Sequence, residues 1–204
     1  MSKSKKSQTF TNFLNGHSND VVFTPPLLAK KCIELIDIQE NETVLDSSAG
    51  ENKVFYNNIN VPNKSYCEIL EGKDFFLETQ KYDVIISNPP FSQIRKNGGW
   101  IEHTLKLCNK RCGFILGCMN LTPKRIQLLD SNGWKITKIY YFRVRWWFSN
   151  SIFVVAEKNP INFINTQILY DVDEYLCDIC LESHGGKCQR GRKPIGANQC
   201  SHSK

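Results

Sequence analysis

The chain has 204 residues, 41% of them hydrophobic, which suits one α/β domain with a small appendage and excludes a disordered chain. Its formal net charge of +6 favours an anionic partner such as nucleic acid, although the same charge also suits a merely soluble basic surface. No apolar run approaches the ~20 residues of a membrane span, and the Lys/Ser-rich start from Met1 to Thr11 lacks the apolar stretch of a secretion signal, so the expected setting is intracellular and away from membranes.

Taken in chain order, the first punctuation is Thr24-Pro25-Pro26. The spacing of Leu27, Leu28, Cys32, Leu35 and Ile36 predicts a helix over 27–36, with proline at its start. Residues 42–46 read as a short buried strand and Ser47-Ser48-Ala49-Gly50 as a small-residue turn. A short helix over 51–58 and a second strand over 65–69 follow. The clearest strand is 82–87, which runs straight into Asn88-Pro89-Pro90-Phe91. A helix over 100–107, a buried strand over 113–119 and a helix over 121–132 closed by Gly133 come next. Two extended runs, 135–144 and 151–158, flank Arg145-Trp146-Trp147-Phe148-Ser149-Asn150.

Strands alternating with helices imply a mostly parallel sheet covered on both faces, and the last two runs imply an antiparallel hairpin at its edge. Ligands of such sheets bind at the carboxyl ends of the strands. Asp46, Glu68, Asp74 and Asn88 all follow predicted strands, with Glu68 read as ending the second one. Taken singly, each acid is as well explained as a cap or turn residue.

Asn88-Pro89-Pro90-Phe91 carries the strongest chemical signal. Consecutive prolines lock their own φ and restrain the preceding residue, fixing an extended turn. That turn sets the Asn88 side chain and the Pro89 carbonyl as two acceptors, which match the two N–H donors of an exocyclic amine. Phe91 offers a face for a base to stack on, worth about 1–3 kcal/mol.

Ser87-Asn88-Pro89-Pro90-Phe91 resembles the catalytic motif of the S-adenosylmethionine-dependent amino-methyltransferases. The upstream motifs stand in the order used by the gamma group of adenine-specific (N6) DNA methyltransferases. Phe23-Thr24-Pro25-Pro26 resembles the family's N-terminal motif, and 45–52 resembles its glycine-containing cofactor loop. The loop carries Ser47 where the family often has Pro and Asn52 where it often has a second Gly, and Asn tolerates left-handed backbone angles.

The resemblance spans about residues 20–158 and implies a Rossmann-like methyltransferase fold. It further implies that Thr24, Pro25, Asp46, Ser48, Ala49, Gly50, Glu68, Asp74 and Phe75 bind S-adenosylmethionine, with Glu68 on the ribose hydroxyls and Asp74 and Phe75 at the cofactor's adenine. By the same resemblance, Asn88, Pro89, Pro90 and Phe91 are catalytic. DNA is favoured over RNA as substrate, with a catalytically silent nucleic-acid- or protein-binding subunit as the alternative of another class. In the 145–150 segment the family places an aromatic near an extruded base, a task for Trp147 or Phe148, with Arg143 and Arg145 on phosphates. The other reading of that segment is an apolar hairpin packed on the core.

Of nine cysteines, Cys32, Cys67, Cys108, Cys112 and Cys118 lie in apolar surroundings and read as core residues. Cys177, Cys180, Cys188 and Cys200 crowd the C-terminal tail, where Cys-x2-Cys followed by two more thiols suits a structural Zn2+ site, or else free thiols in a tail. Arg190, Arg192 and Lys193 inside that segment form a compact basic run, fit for nucleic acid or simply a solvated charge run. The expected organisation is a basic arm over 1–19, a methyltransferase domain over 20–165 and a Cys-rich zinc tail over 170–204. The sequence carries no signal for an oligomeric state.

Overall fold

The computed structural model describes residues 23–94, 99–145, 147 and 150–175. The first helix, α1 (Pro26–Ile36), starts at a proline, where the missing N–H costs nothing, and buries Leu28, Ala29, Cys32, Leu35 and Ile36 along one stripe. It ends at Asp37, which adopts a left-handed φ of 57° and donates its N–H back to the Ile33 and Glu34 carbonyls. Then come β1 (Val44–Asp46), α2 (Val54–Asn58), β2 (Lys64–Tyr66), β3 (Tyr82–Ser87), α3 (Phe91–Ile94) and α4 (Trp100–Leu107). The chain continues through β4 (Cys108–Gly117), α5 (Pro123–Ser131), β5 (Trp134–Val144), β6 (Ser151–Lys158) and β7 (Gln167–Tyr175).

The seven strands form one sheet in the order β2-β1-β3-β4-β6-β5-β7. β1 pairs in parallel with β2 and β3, and β3 with β4, whereas β6 runs antiparallel to both β4 and β5. Side chains alternate along β3: Val84 and Ile86 join the core on the α1/α2 face, and Ile85 joins the core on the α4/α5 face. Cys32, Cys67, Cys108 and Cys112 are buried thiols within these cores, as expected, and Cys118 is half-buried beside them.

Two expectations need correction. The β5–β6 hairpin does not form the sheet edge, because β7 pairs in parallel with β5 and covers it. β7 also carries the sheet beyond residue 165, into the stretch assigned to the Cys-rich tail. Tyr140 and Tyr175 both donate hydroxyl protons to Asp171, fastening β7 through side chains as well as backbone.

Candidate active site

Parallel pairing brings the carboxyl ends of β2, β1 and β3 side by side, with Asp46 level with Tyr66 on one neighbour and Ile86 on the other. The chain leaves β1 through Ser47-Ser48-Ala49-Gly50, and the loop is tied across the sheet. Cys67 donates its N–H to the Asp46 carbonyl, and Ala49 donates its own to the Cys67 carbonyl, each over 2.9 Å. Gly50 takes a left-handed φ of 64°, and nothing lies within 4 Å of where a Cβ would stand, so the backbone is open to close approach from above. The second left-handed residue of the loop is Lys53 at φ 46°, not Asn52.

Asp46 is completely buried. Its Oδ2 accepts from the Tyr56 N–H over 3.1 Å and its Oδ1 from the Ser48 N–H over 3.4 Å. Burial nevertheless dominates, and with the charge of Glu68 adding to it, the Asp46 carboxyl is pushed up to about 7. Glu68 does not end a strand. β2 stops at Tyr66, and Glu68 caps a 3-10 turn (Ile69–Glu71), its Oε1 accepting from the Leu70 N–H over 3.0 Å. Asp74 caps the next such turn (Phe75–Leu77) in the same way, Oδ1 accepting from the Phe76 N–H over 2.9 Å. In each case one carboxylate oxygen makes the cap.

A web of hydroxyls joins this loop to the end of β3. Ser48 Oγ donates to the Asn88 carbonyl over 3.0 Å and lies 2.5 Å from Ser87 Oγ. Ser48 has one hydroxyl proton, so Ser87 is the donor of the pair. Ser47 Oγ accepts from the Trp100 indole over 3.2 Å, which anchors the start of α4. From the opposite side, Thr24 Oγ1 accepts from Asn88 Nδ2 over 3.1 Å. Trp100 escapes a reading of the sequence, since a core tryptophan has no pattern that marks it, and Ser47 and Ser87, though they stand inside the quoted motifs, carry no role there. The structure therefore gathers Thr24, Pro25, Asp46, Ser48, Ala49, Gly50, Glu68, Asn88, Pro89, Pro90 and Phe91 at one end of the sheet.

Several expected contacts lie elsewhere. Phe75, expected at the cofactor's adenine, is 2% exposed, its ring 4.5 Å from Trp100 and 4.8 Å from His103. The turn capped by Asp74 drives Phe75 into the core and leaves Phe76 on the surface. Trp147 is likewise a core residue, 9% exposed and set edge-on to Phe142, so its ring is not displayed for a base. Arg143 is engaged by Glu174 of β7 over 2.7 Å rather than standing alone for a phosphate, while Arg145 is exposed. Phe148, Arg190, Arg192, Lys193 and the zinc candidates Cys177, Cys180, Cys188 and Cys200 lie outside the described residues. Among the described residues no cluster of three or more His, Cys, Asp or Glu is placed to hold a metal.

No family model and no curated protein matches the chain by sequence. Solved structures do match by shape. A Listeria monocytogenes protein described as a class I S-adenosylmethionine-dependent methyltransferase aligns at 14% identity over 81% of this chain and 70% of its own, with a TM-score of 0.55. A modification subunit described as part of a type I restriction enzyme from Vibrio vulnificus aligns at 12% identity over 80% of this chain and half of its own, with a TM-score of 0.51. The fold of this chain is that of the Rossmann-like S-adenosylmethionine-dependent methyltransferases.

Proposed function

We propose that the protein transfers a methyl group from S-adenosylmethionine to the exocyclic N6 amine of adenine in DNA. The observation that carries this reading is that Asp46 ends β1, Asn88 directly follows β3 and Glu68 lies just past the end of the neighbouring parallel strand β2, with Thr24 gripping the Asn88 amide. The residues here suit the cofactor: Gly50 leaves its backbone uncovered, and the buried carboxyls of Asp46 and Glu68 lie in the adjoining segments. S-adenosylmethionine, when bound, supplies a methyl group on a sulfonium. Asp46 would receive its ammonium, directly or through water, and Glu68 its ribose hydroxyls.

Asn88 does the positioning of the acceptor. Thr24 holds the amide by its nitrogen end, which turns the acceptor role over to the amide oxygen. That oxygen and the Pro89 carbonyl draw on the two N–H bonds of the adenine amine, withdrawing its lone pair from the ring and raising its nucleophilicity. Phe91, half-buried at the start of α3, holds the ring of the base. Orientation supplies most of the rate effect, and the methylated nitrogen, then acidic, releases its proton to water. The net charge of +6 suits a polyanionic substrate, and a restriction enzyme's modification subunit among the structures of this fold inclines the reading to DNA rather than RNA.

The test is nucleoside mass spectrometry after incubation with isotopically labelled S-adenosylmethionine and, separately, unmethylated DNA and RNA. Label is expected in N6-methyladenine from DNA and lost in Asn88→Ala. Label in RNA alone transfers the reading to RNA. No label on either, from a folded protein, leaves the silent binding subunit.

A further inference from the structure

The strand beside β3 overshoots it. Ser87 is level with Phe114, yet β4 runs on through Ile115, Leu116 and Gly117. At about 3.3 Å per residue this lifts the following 3-10 turn (Cys118–Asn120) about 10 Å above the level of Ser87, on the strand next to the one that leads into Asn88. At its centre stands Met119, 90% exposed.

A single exposed apolar side chain is ordinary. The mounting of this one is not. The Arg125 guanidinium, from α5, donates to the Asn120 carbonyl at the end of the turn and to the Ile94 carbonyl at the end of α3. It thus couples the turn to the helix that begins at Phe91. The Cys118 N–H donates to the Asn150 carbonyl over 3.3 Å, tying the other side of the turn to the start of β6. An apolar side chain is held out into water on a support braced from both sides, at the rim of the site and in fixed relation to Phe91.

We infer that Met119 is a wedge, entering the base stack of a nucleic-acid duplex at the place vacated by the target base. The inference rests on the proposed function. An amine inside a duplex cannot reach a cofactor crevice, so the base must leave its stack, and unstacking costs a few kcal/mol. An apolar side chain inserted at the step offsets that cost by filling the gap, and methionine, unbranched and polarizable, adapts to an irregular one. The Arg125 brace makes the insertion effective, because a loose turn would yield rather than push.

The experiment compares methylation of unmethylated genomic DNA as native duplex and after heat denaturation, using labelled S-adenosylmethionine. In Met119→Ala the ratio of duplex rate to single-strand rate is expected to fall about tenfold, and in Met119→Leu to recover, since single strands present no stack to open. An unchanged ratio in Met119→Ala, with the wild type active on both forms, overturns the wedge and leaves the proposed function intact. Wild-type activity confined to single strands overturns it as well. A wild type inactive on both forms fails the proposed function, and the wedge with it.

Discussion

Asn88 and Thr24 stand 64 residues apart in sequence and meet through a hydrogen bond of 3.1 Å, Nδ2 to Oγ1, with Thr24 only 7% exposed. Thr24 itself is set by the proline pair that starts α1, so the entry of the first helix orients the side chain at the end of the third strand. Thr24→Val keeps the shape of the residue and removes the acceptor. It is expected to lower kcat about three- to tenfold, the worth of one hydrogen bond, with KM for S-adenosylmethionine little changed. Steady-state kinetics at saturating cofactor check this. A variant with full kcat would show that the Asn88 amide is oriented by other contacts.

The Asp46 carboxyl gives the apoprotein a specific pH dependence. Unfolded, it titrates near 3.8; folded, burial raises it to about 7. Between these values the native state holds a proton that the unfolded chain has lost, so this group costs stability as pH rises through that window and no more above it. Asp46→Asn removes the titration. The melting temperature of the variant, relative to wild type, is therefore expected to increase from about pH 5 to about pH 8. A difference that does not vary with pH would place the Asp46 titration elsewhere. If the carboxylate receives the cofactor's ammonium, wild-type affinity should also be about tenfold tighter near pH 8 than near pH 6, read by calorimetry.

The elements written in the sequence are those whose signals are local. A proline start and an apolar stripe at helical spacing mark α1, and runs of consecutive apolar residues mark β3 and β6. β7 escapes for the opposite reason. Ile168, Tyr170 and Val172 are 55%, 71% and 87% exposed, and Asp171, Asp173 and Glu174 break up the run, so Leu169 and Tyr175 are the apolar residues the strand packs on the core and its place is set largely by its pairing with β5. In the site, the residues after strand ends were legible because topology alone makes those positions special. Which of two adjacent aromatics faces inward was not. Phe75 against Phe76 is decided by the turn that Asp74 caps, a matter of backbone geometry that periodicity does not encode.

At the amino end of the sheet, away from Asn88, Glu42 is 2% exposed and fully committed. It accepts from Arg111 over 2.5 Å, from Lys110 over 3.4 Å and from the Gln39 N–H over 2.9 Å. Arg111 also donates to the Ile36 and Asp37 carbonyls, so the pair closes the C-terminus of α1 onto β4. Removing one partner of a buried pair leaves the other without compensation. Glu42→Ala is expected to lose about 3 kcal/mol in chemical denaturation, while the proposed methyl transfer is retained in the folded protein. Replacing both partners, Glu42→Leu with Arg111→Met, is expected to recover part of the loss. A loss below about 1 kcal/mol in Glu42→Ala would mean that Arg111 is adequately solvated without it.

Gly113 tests how tightly the centre of the sheet is packed. It lies in β4 between Ile86 of β3 and Val155 of β6. A Cβ added there would stand 2.5 Å from Phe153 Cζ and 2.9 Å from Ile36 Cδ1. Both side chains are fully buried, and α1 leans on the sheet through Ile36, so neither can swing away without displacing others. Overpacking of this kind costs about 1–3 kcal/mol, and Gly113→Ala is expected to fall in that range by thermal or denaturant unfolding. The companion change Phe153→Leu removes the nearest ring atom and should restore part of the stability in the double variant, although alone it opens a cavity and destabilises. The sign of that coupling is the decisive reading. If the two losses simply add, the glycine is not required by the close approach of Phe153, and its place in the strand has another cause.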